Sequence, residues 1–139
     1  DFPVLTLENP SGPDVVQTFQ DLHENSHRFA QALVDAGTEK GDTFAAIMYN
    51  YPEMIHLIGA ASILGAVIVP IDPRTKGDKL AHQICDSKSK AVFITADLLD
   101  RIEASQNPNY LPVLKVWASD TSRKLARRIH SVMRVLRSE

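Results

Sequence analysis

Apolar positions along the chain change their period several times, and each change marks an element. Phe19, Leu22, Phe29, Leu33 and Ala36 recur at helical spacing while Asp21, Glu24, Arg28 and Asp35 fall elsewhere, the pattern of a helix with one face on a core. Thr18 precedes this run with Asp21 three residues later, a spacing that lets the two side chains satisfy unpaired backbone N–H groups in a capping box. Gly37 follows, where a left-handed residue ends a helix. Residues 43–49, TFAAIMY, are then apolar without alternation, as in a strand covered on both faces of a parallel sheet.

The same reading continues downstream. Pro52 and Glu53 suit a first helical turn, which tolerates a missing N–H and favours negative charge, and Gly65 closes a helix over 52–64. Residues 66–71 predict a second buried strand, with Pro70 near its end because it removes a ladder donor. Thr75 with Asp78 repeats the capping pattern before a helix whose apolar face is Leu80, Ala81, Ile84 and Cys85, ending near Ser87. AVFIT at 91–95 predicts a third strand, followed by a short helix over 97–105, an NPNYLP loop, a fourth strand over about 113–118 and a last helix from about Thr121. Alternating helices and strands, with connections too long for hairpins, predict an α/β fold: a mainly parallel sheet flanked by helices with right-handed crossovers. The expected organisation is an extended segment over 1–17, an α/β unit over 18–120 and a basic amphipathic helix over 121–139.

Charge singles out that last helix. Residues 121–139 hold six of the 15 Lys and Arg and one of the 17 Asp and Glu, so a net charge of −2 hides an acidic body and a basic end. Leu125, Ile129, Val132, Met133 and Leu136 form one stripe on it. Such a helix suits docking on the sheet or on a further part of the protein, and the rival is contact with an anionic membrane. The 139 residues suit one domain, and 44% hydrophobic with 23% charged residues is ordinary globular composition, with no sign of a nucleic-acid partner. Cys85, the one cysteine, makes no internal disulfide, which points to a reducing compartment and a cytoplasmic location. No basic stretch followed by an apolar run resembles a signal peptide, and no apolar run is long enough to span a bilayer.

Candidate chemistry is sparse. The first strand-to-helix turn reads NYPE, and none of the six glycines forms a GxGxxG or GxxxxGK[ST] loop, so a dinucleotide-binding turn or P-loop is not expected. His23 and His27 are four apart and share a helix side, as two metal ligands would, but with no third ligand evident a solvated face is the plainer reading. His56 and His82 read as hydrogen-bonded structural histidines, and Cys85 as a small core residue. Asp72 stands at a strand's carboxyl end, where α/β proteins place ligands, although Asp before Pro starts turns equally well.

Four stretches in one order, TFQDLHENSHRFAQAL, GTEKGDTFAAIMYNYPEMI, LGAVIVPIDPR and LAHQICDSKSKAVFIT, resemble the N-terminal portion of acyl-CoA synthetases of the adenylate-forming superfamily. The resemblance implies part of the large N-terminal domain of such an enzyme. It also implies a parent that joins a carboxylic acid to ATP with magnesium and passes the acyl-adenylate to coenzyme A. In that family the positions matching Gly37, Gly41, Asp42, Asn50, Pro52, Glu53, Gly65, Pro70 and Pro73 shape turns and helix packing. The family's phosphate loop, nucleotide-contacting motifs and catalytic lysine match nothing in these residues. No catalytic, cofactor-binding or metal-binding residue is therefore assigned, and the isolated chain is expected neither to hydrolyse ATP nor to form an acyl-adenylate. Its expected partner is the remainder of the ligase or a second copy through exposed apolar surface, and the rival function is a non-catalytic α/β interaction module.

Overall fold

The computed structural model describes residues 2–8, 12–104 and 115–119, with the backbone alone at 96, 103, 104 and 115–119. The expected loop at 107–112 and the basic helix at 121–139 lie outside the described residues. The elements are β1 (Pro3–Leu7), β2 (Val15–Thr18), α1 (Phe19–Asp35), β3 (Thr43–Ile47), α2 (Pro52–Leu64), β4 (Val67–Ile71) and α3 (Gly77–Asp86). They continue with β5 (Ala91–Thr95), a 3₁₀ turn at Ala96–Leu98, α4 (Leu99–Ala104) and β6 (Lys115–Ser119).

β1 and β2 pair antiparallel as a two-stranded ribbon, while the main sheet is parallel in the order β4-β3-β5-β6. The continuous apolar strands follow from this placement. β3 and β5 are central, and alternate residues serve opposite cores. Phe44, Ala46, Met48, Ala91 and Phe93 pack with Ala30 and Leu33 of α1 and Leu57, Ala60 and Ala61 of α2. On the other face Ala45, Ile47, Val92 and Ile94 pack with Leu80 and Ile84 of α3 and with Leu98, Leu99 and Ile102. Phe44, Leu33, Leu57 and Leu99 are completely buried, so truncating any of them to alanine costs about 2–5 kcal/mol.

The helix ends follow local chemistry. Thr18 accepts from the Asp21 N–H at 3.1 Å while Asp21 Oδ2 accepts from the Thr18 N–H at 2.9 Å, which completes the expected capping box. Pro52 opens α2, and Gly65, at φ 67°, closes it in the left-handed region that a Cβ would make costly.

Four expectations need correction. The strand over 66–71 is not buried on both sides, because β4 pairs only with β3 among the described residues and leaves Val67 and Pro70 exposed; an edge also tolerates proline's missing donor. Thr75 does not cap α3, whose N-cap is Lys76 without a side-chain bond. Gly77 at φ 56° adds a turn before the helix, and the Thr75 N–H instead closes a turn on the Asp72 carbonyl at 2.9 Å. Phe19, expected on the core face of α1, is 64% exposed because that first turn lies beside the ribbon, where the Phe19 N–H meets the Phe2 carbonyl at 3.4 Å. His82 is exposed on α3 and not a structural core histidine, since the buried face of that helix is Leu80, Ala81 and Ile84.

Candidate functional site at the carboxyl end of the sheet

The chain leaves β3 through α2 toward β4, and it leaves the adjacent β5 through the 3₁₀ turn and α4 toward β6, in the opposite direction. α2 covers one face of the sheet and α4 the other. Neighbouring strands whose connections diverge in this way define a topological switch point, and open α/β sheets take ligands beyond the carboxyl ends of such strands. Met48 is buried at the end of β3, Tyr49 and Tyr51 stand exposed in the turn that follows, and Thr95 ends β5. The Thr95 hydroxyl oxygen is buried without a hydrogen-bond partner. It is a polar group that the sequence pattern had absorbed into an apolar strand.

One strand away, Asp72 ends the run that begins with β4 and is engaged three ways by Arg74. Its Oδ1 accepts from the Arg74 backbone N–H at 2.8 Å and from Nε at 3.0 Å, and its Oδ2 accepts from Nη2 at 2.7 Å. These side-chain bonds, followed by the backbone bond, hold the carboxyl down to about 2, well below the usual carboxylate range. The same pairing raises the guanidinium, with Tyr49 adding to it. Asp72 is thus a turn former with its own counter-charge, as the turn-chemistry alternative holds. The spacing of Asp72 and Arg74 in IDPR was the signal for this pair.

The amino end of the sheet is tied across loops instead. Gly41 donates to the Gly65 carbonyl at 2.8 Å, Val67 to Asp42 at 2.8 Å and Lys90 to Thr43 at 2.9 Å. Asp42 Oδ2 accepts from Lys90 Nζ at 2.8 Å and from the Glu39 N–H at 2.8 Å, which lowers the Asp42 carboxyl and raises the Lys90 ammonium. This pair joins the loops that enter β3 and β5.

Apart from His23 and His27, neighbours on α1, the candidate side chains do not converge. His23 and His27 lie exposed on α1, His56 is buried on α2, and His82 and half-buried Cys85 lie on α3 across the sheet. His56 is 5% exposed and meets Gln17 Oε1 of the ribbon through Nε2 at 3.0 Å, with Phe29 beside its ring at 5.9 Å between centroids. Burial pushes its pKa down, against the opposing effect of Glu53. Gln17 is the partner that residue-by-residue reading missed, because a contact spanning 39 residues leaves no local spacing to find. Among the described residues no group of three or more His, Cys, Asp and Glu comes together to hold a metal, and no helix is long and apolar enough to cross a membrane.

A parallel sheet with helices on both faces and a switch point between β3 and β5 is a doubly wound α/β architecture. Residues 3–133 match the family described as AMP-binding enzyme, and the chain belongs to that family. It is 36% identical over 89 residues to a 2-succinylbenzoate–CoA ligase from Geobacillus sp., an alignment covering 64% of this chain and 18% of that protein. Over 98 residues it is 35% identical to the long-chain-fatty-acid–CoA ligase FadD13 of Mycobacterium tuberculosis, covering 68% of this chain and 20% of the relative. A solved Mycobacterium tuberculosis fatty acyl CoA synthetase shares the fold at a TM-score of 0.66 and 32% identity, covering 85% of this chain and 23% of that one. The chain therefore spans about a fifth of the length of these two curated relatives, and the α/β class expected from its periodicity is the observed one.

Proposed function

We propose that this chain forms part of the N-terminal lobe of an ATP-dependent acyl-CoA ligase and serves it as scaffold. The parent reaction has two steps. A carboxylate oxygen attacks the α-phosphorus of ATP, giving acyl-adenylate and pyrophosphate. The coenzyme A thiol, as its thiolate, then attacks the acyl carbon, giving the thioester and AMP. The observation that carries the reading is the family match across 3–133 on a fold shared with a solved fatty acyl CoA synthetase.

Within that enzyme these residues do not suit a triphosphate–magnesium site. Gripping one requires several donors and cations converging on developing charge. One strand from the switch point the Arg74 guanidinium is paired with Asp72, and the turn after β3 is NYPE, without the glycines that let backbone N–H groups approach phosphates. ATP, magnesium and coenzyme A would be held by other parts of the enzyme. The ribbon and the adjoining first turn of α1 support a role as one lobe of a larger body, since Phe2 at 79%, Phe19 at 64% and Val16 at 56% exposure give them an apolar surface suited to the remainder of the ligase.

A pyrophosphate-release assay with ATP, magnesium and a panel of carboxylic acids tests this on two proteins. One is the chain alone; the other is a chimera in which it replaces the equivalent segment of the FadD13 ligase. The expected result is silence from the chain and turnover from the chimera. Turnover by the chain alone would overturn the scaffold role. A chimera that folds, binds ATP and remains silent would overturn the ligase assignment.

A further inference from the structure

On the outer side of α1 the two exposed imidazoles of His23 and His27 converge. Their Nε2 atoms are 3.1 Å apart, with ring centroids 4.3 Å apart and planes inclined at 63°. Without a metal this contact is satisfied only when one ring donates its Nε2–H to the other's lone pair. The same separation has a second meaning. Imidazole nitrogens sit about 2.0–2.1 Å from zinc, so two of them on one ion lie about 2.9 Å apart at a right angle and about 3.3 Å apart at a tetrahedral angle. The observed spacing falls between these limits.

We propose that His23 and His27 form a two-histidine surface chelate for a late first-row divalent cation, Cu²⁺, Ni²⁺ or Zn²⁺, with water completing its coordination. The helix supplies the preorganisation. Residues four apart stand one above the other on one side of α1, and the capping box at Thr18 and Asp21 fixes the turn from which His23 projects. Imidazole suits these ions, and on an open two-nitrogen site their affinities should follow the general order, with Cu²⁺ tightest. Bridging two turns of α1 would also stabilise the fold, because an ion that binds the folded chain and not the unfolded one raises the unfolding midpoint.

The test is titration of the untagged chain with CuCl₂, NiCl₂ and ZnCl₂ in a non-coordinating buffer at neutral pH, followed by calorimetry and thermal unfolding. Copper electron paramagnetic resonance counts the nitrogen ligands. The expected result is one site per chain, two nitrogens on Cu²⁺, and a midpoint raised by about 5 °C or more at a hundredfold excess of ion over Kd. His23→Ala and His27→Ala should each weaken binding at least about tenfold, whereas His82→Ala, on the far side of the sheet, should leave it unchanged. The double variant His23→Ala, Gln31→His re-creates the four-residue spacing one turn along, pairing His27 with the new side chain, and should restore binding. Wild-type affinity no greater than that of folded single-histidine variants would overturn the proposal. Binding that persists in both alanine variants would do the same.

Discussion

Replacing Gly59 with alanine should drive α1 and α2 apart. A Cβ at position 59 would lie 2.8 Å from Ser26 Cβ and closer still to Ser26 Oγ, where ordinary contacts begin at 3.4 Å. Rotating the hydroxyl does not relieve the Cβ–Cβ approach, which the two backbones set, and Ser26 is only 4% exposed. The helices must therefore separate by about half an ångström, loosening Ala30, Leu33, Leu57 and Ala60 together. Overpacking of this kind costs about 1–3 kcal/mol. Alanine's better helix propensity returns about 1 kcal/mol, so the single variant tests the contact poorly. A double-mutant cycle with Ser26→Gly removes that ambiguity, since propensities cancel and the opposing Cβ is gone. Urea unfolding followed by circular dichroism should give a coupling energy of about 1–3 kcal/mol, the double variant being more stable than the two singles predict when added. A coupling within about 0.5 kcal/mol of zero would show that the helices do not meet at this pair.

Four further outcomes are expected. Thr18→Ala removes the N-cap acceptor of α1 and should lower unfolding free energy by about 1 kcal/mol, read from the urea midpoint. Asp72 is held to about 2 in the folded chain against an ordinary 3.8, so its contribution is complete above the ordinary value and lost as pH falls toward 2; Asp72→Asn should flatten the stability profile in that acid window. His56 is lowered from 6.5 by burial, so the folded state favours the neutral ring. Stability should fall as pH drops below 6.5, and His56→Gln should remove that slope; equal slopes would refute the assignment. In hydrogen exchange, the amides of Gly41, Val67 and Lys90 should exchange more slowly than those of Tyr51, Arg74 and Thr75, because the first three bridge separate loops while the others bond within their own turns.

Much of the architecture was legible because it is written in local patterns. The continuous apolar run at 43–49 announced a strand covered on both faces, and β3 indeed divides its residues between two cores. Gly65 and the Thr18–Asp21 box marked helix ends through backbone requirements that few residues meet. What periodicity does not carry is sheet order. An apolar run reads alike at the centre and at the edge, so the edge position of β4 became visible only once β5 was seen on the far side of β3. Contacts over long separations were equally silent: His56 with Gln17, Lys90 with Asp42, and the close approach of Gly59 to Ser26 each depend on tertiary placement. Even at short range, spacing alone misled at Thr75, where the turn from Asp72 claimed its backbone before α3 began.

The two ends of the sheet divide the work of the domain. At the amino end, backbone bonds run from one loop to another, and the Asp42–Lys90 pair fastens the entries to β3 and β5. At the carboxyl end, hydrogen bonds close individual turns: Tyr51 on Tyr49, Thr75 and Arg74 on Asp72. Changing a residue in one of those turns therefore disturbs little beyond it, whereas changing Asp42 loosens two strands at once. A scaffold braced at one end and locally closed at the other can vary its carboxyl-end loops while keeping its register. Its similarity to a succinylbenzoate ligase and a long-chain fatty-acid ligase fits that separation, because the carboxyl-end loops can differ without altering the packing of Phe44, Ile47, Val92 and Ile94 beneath them.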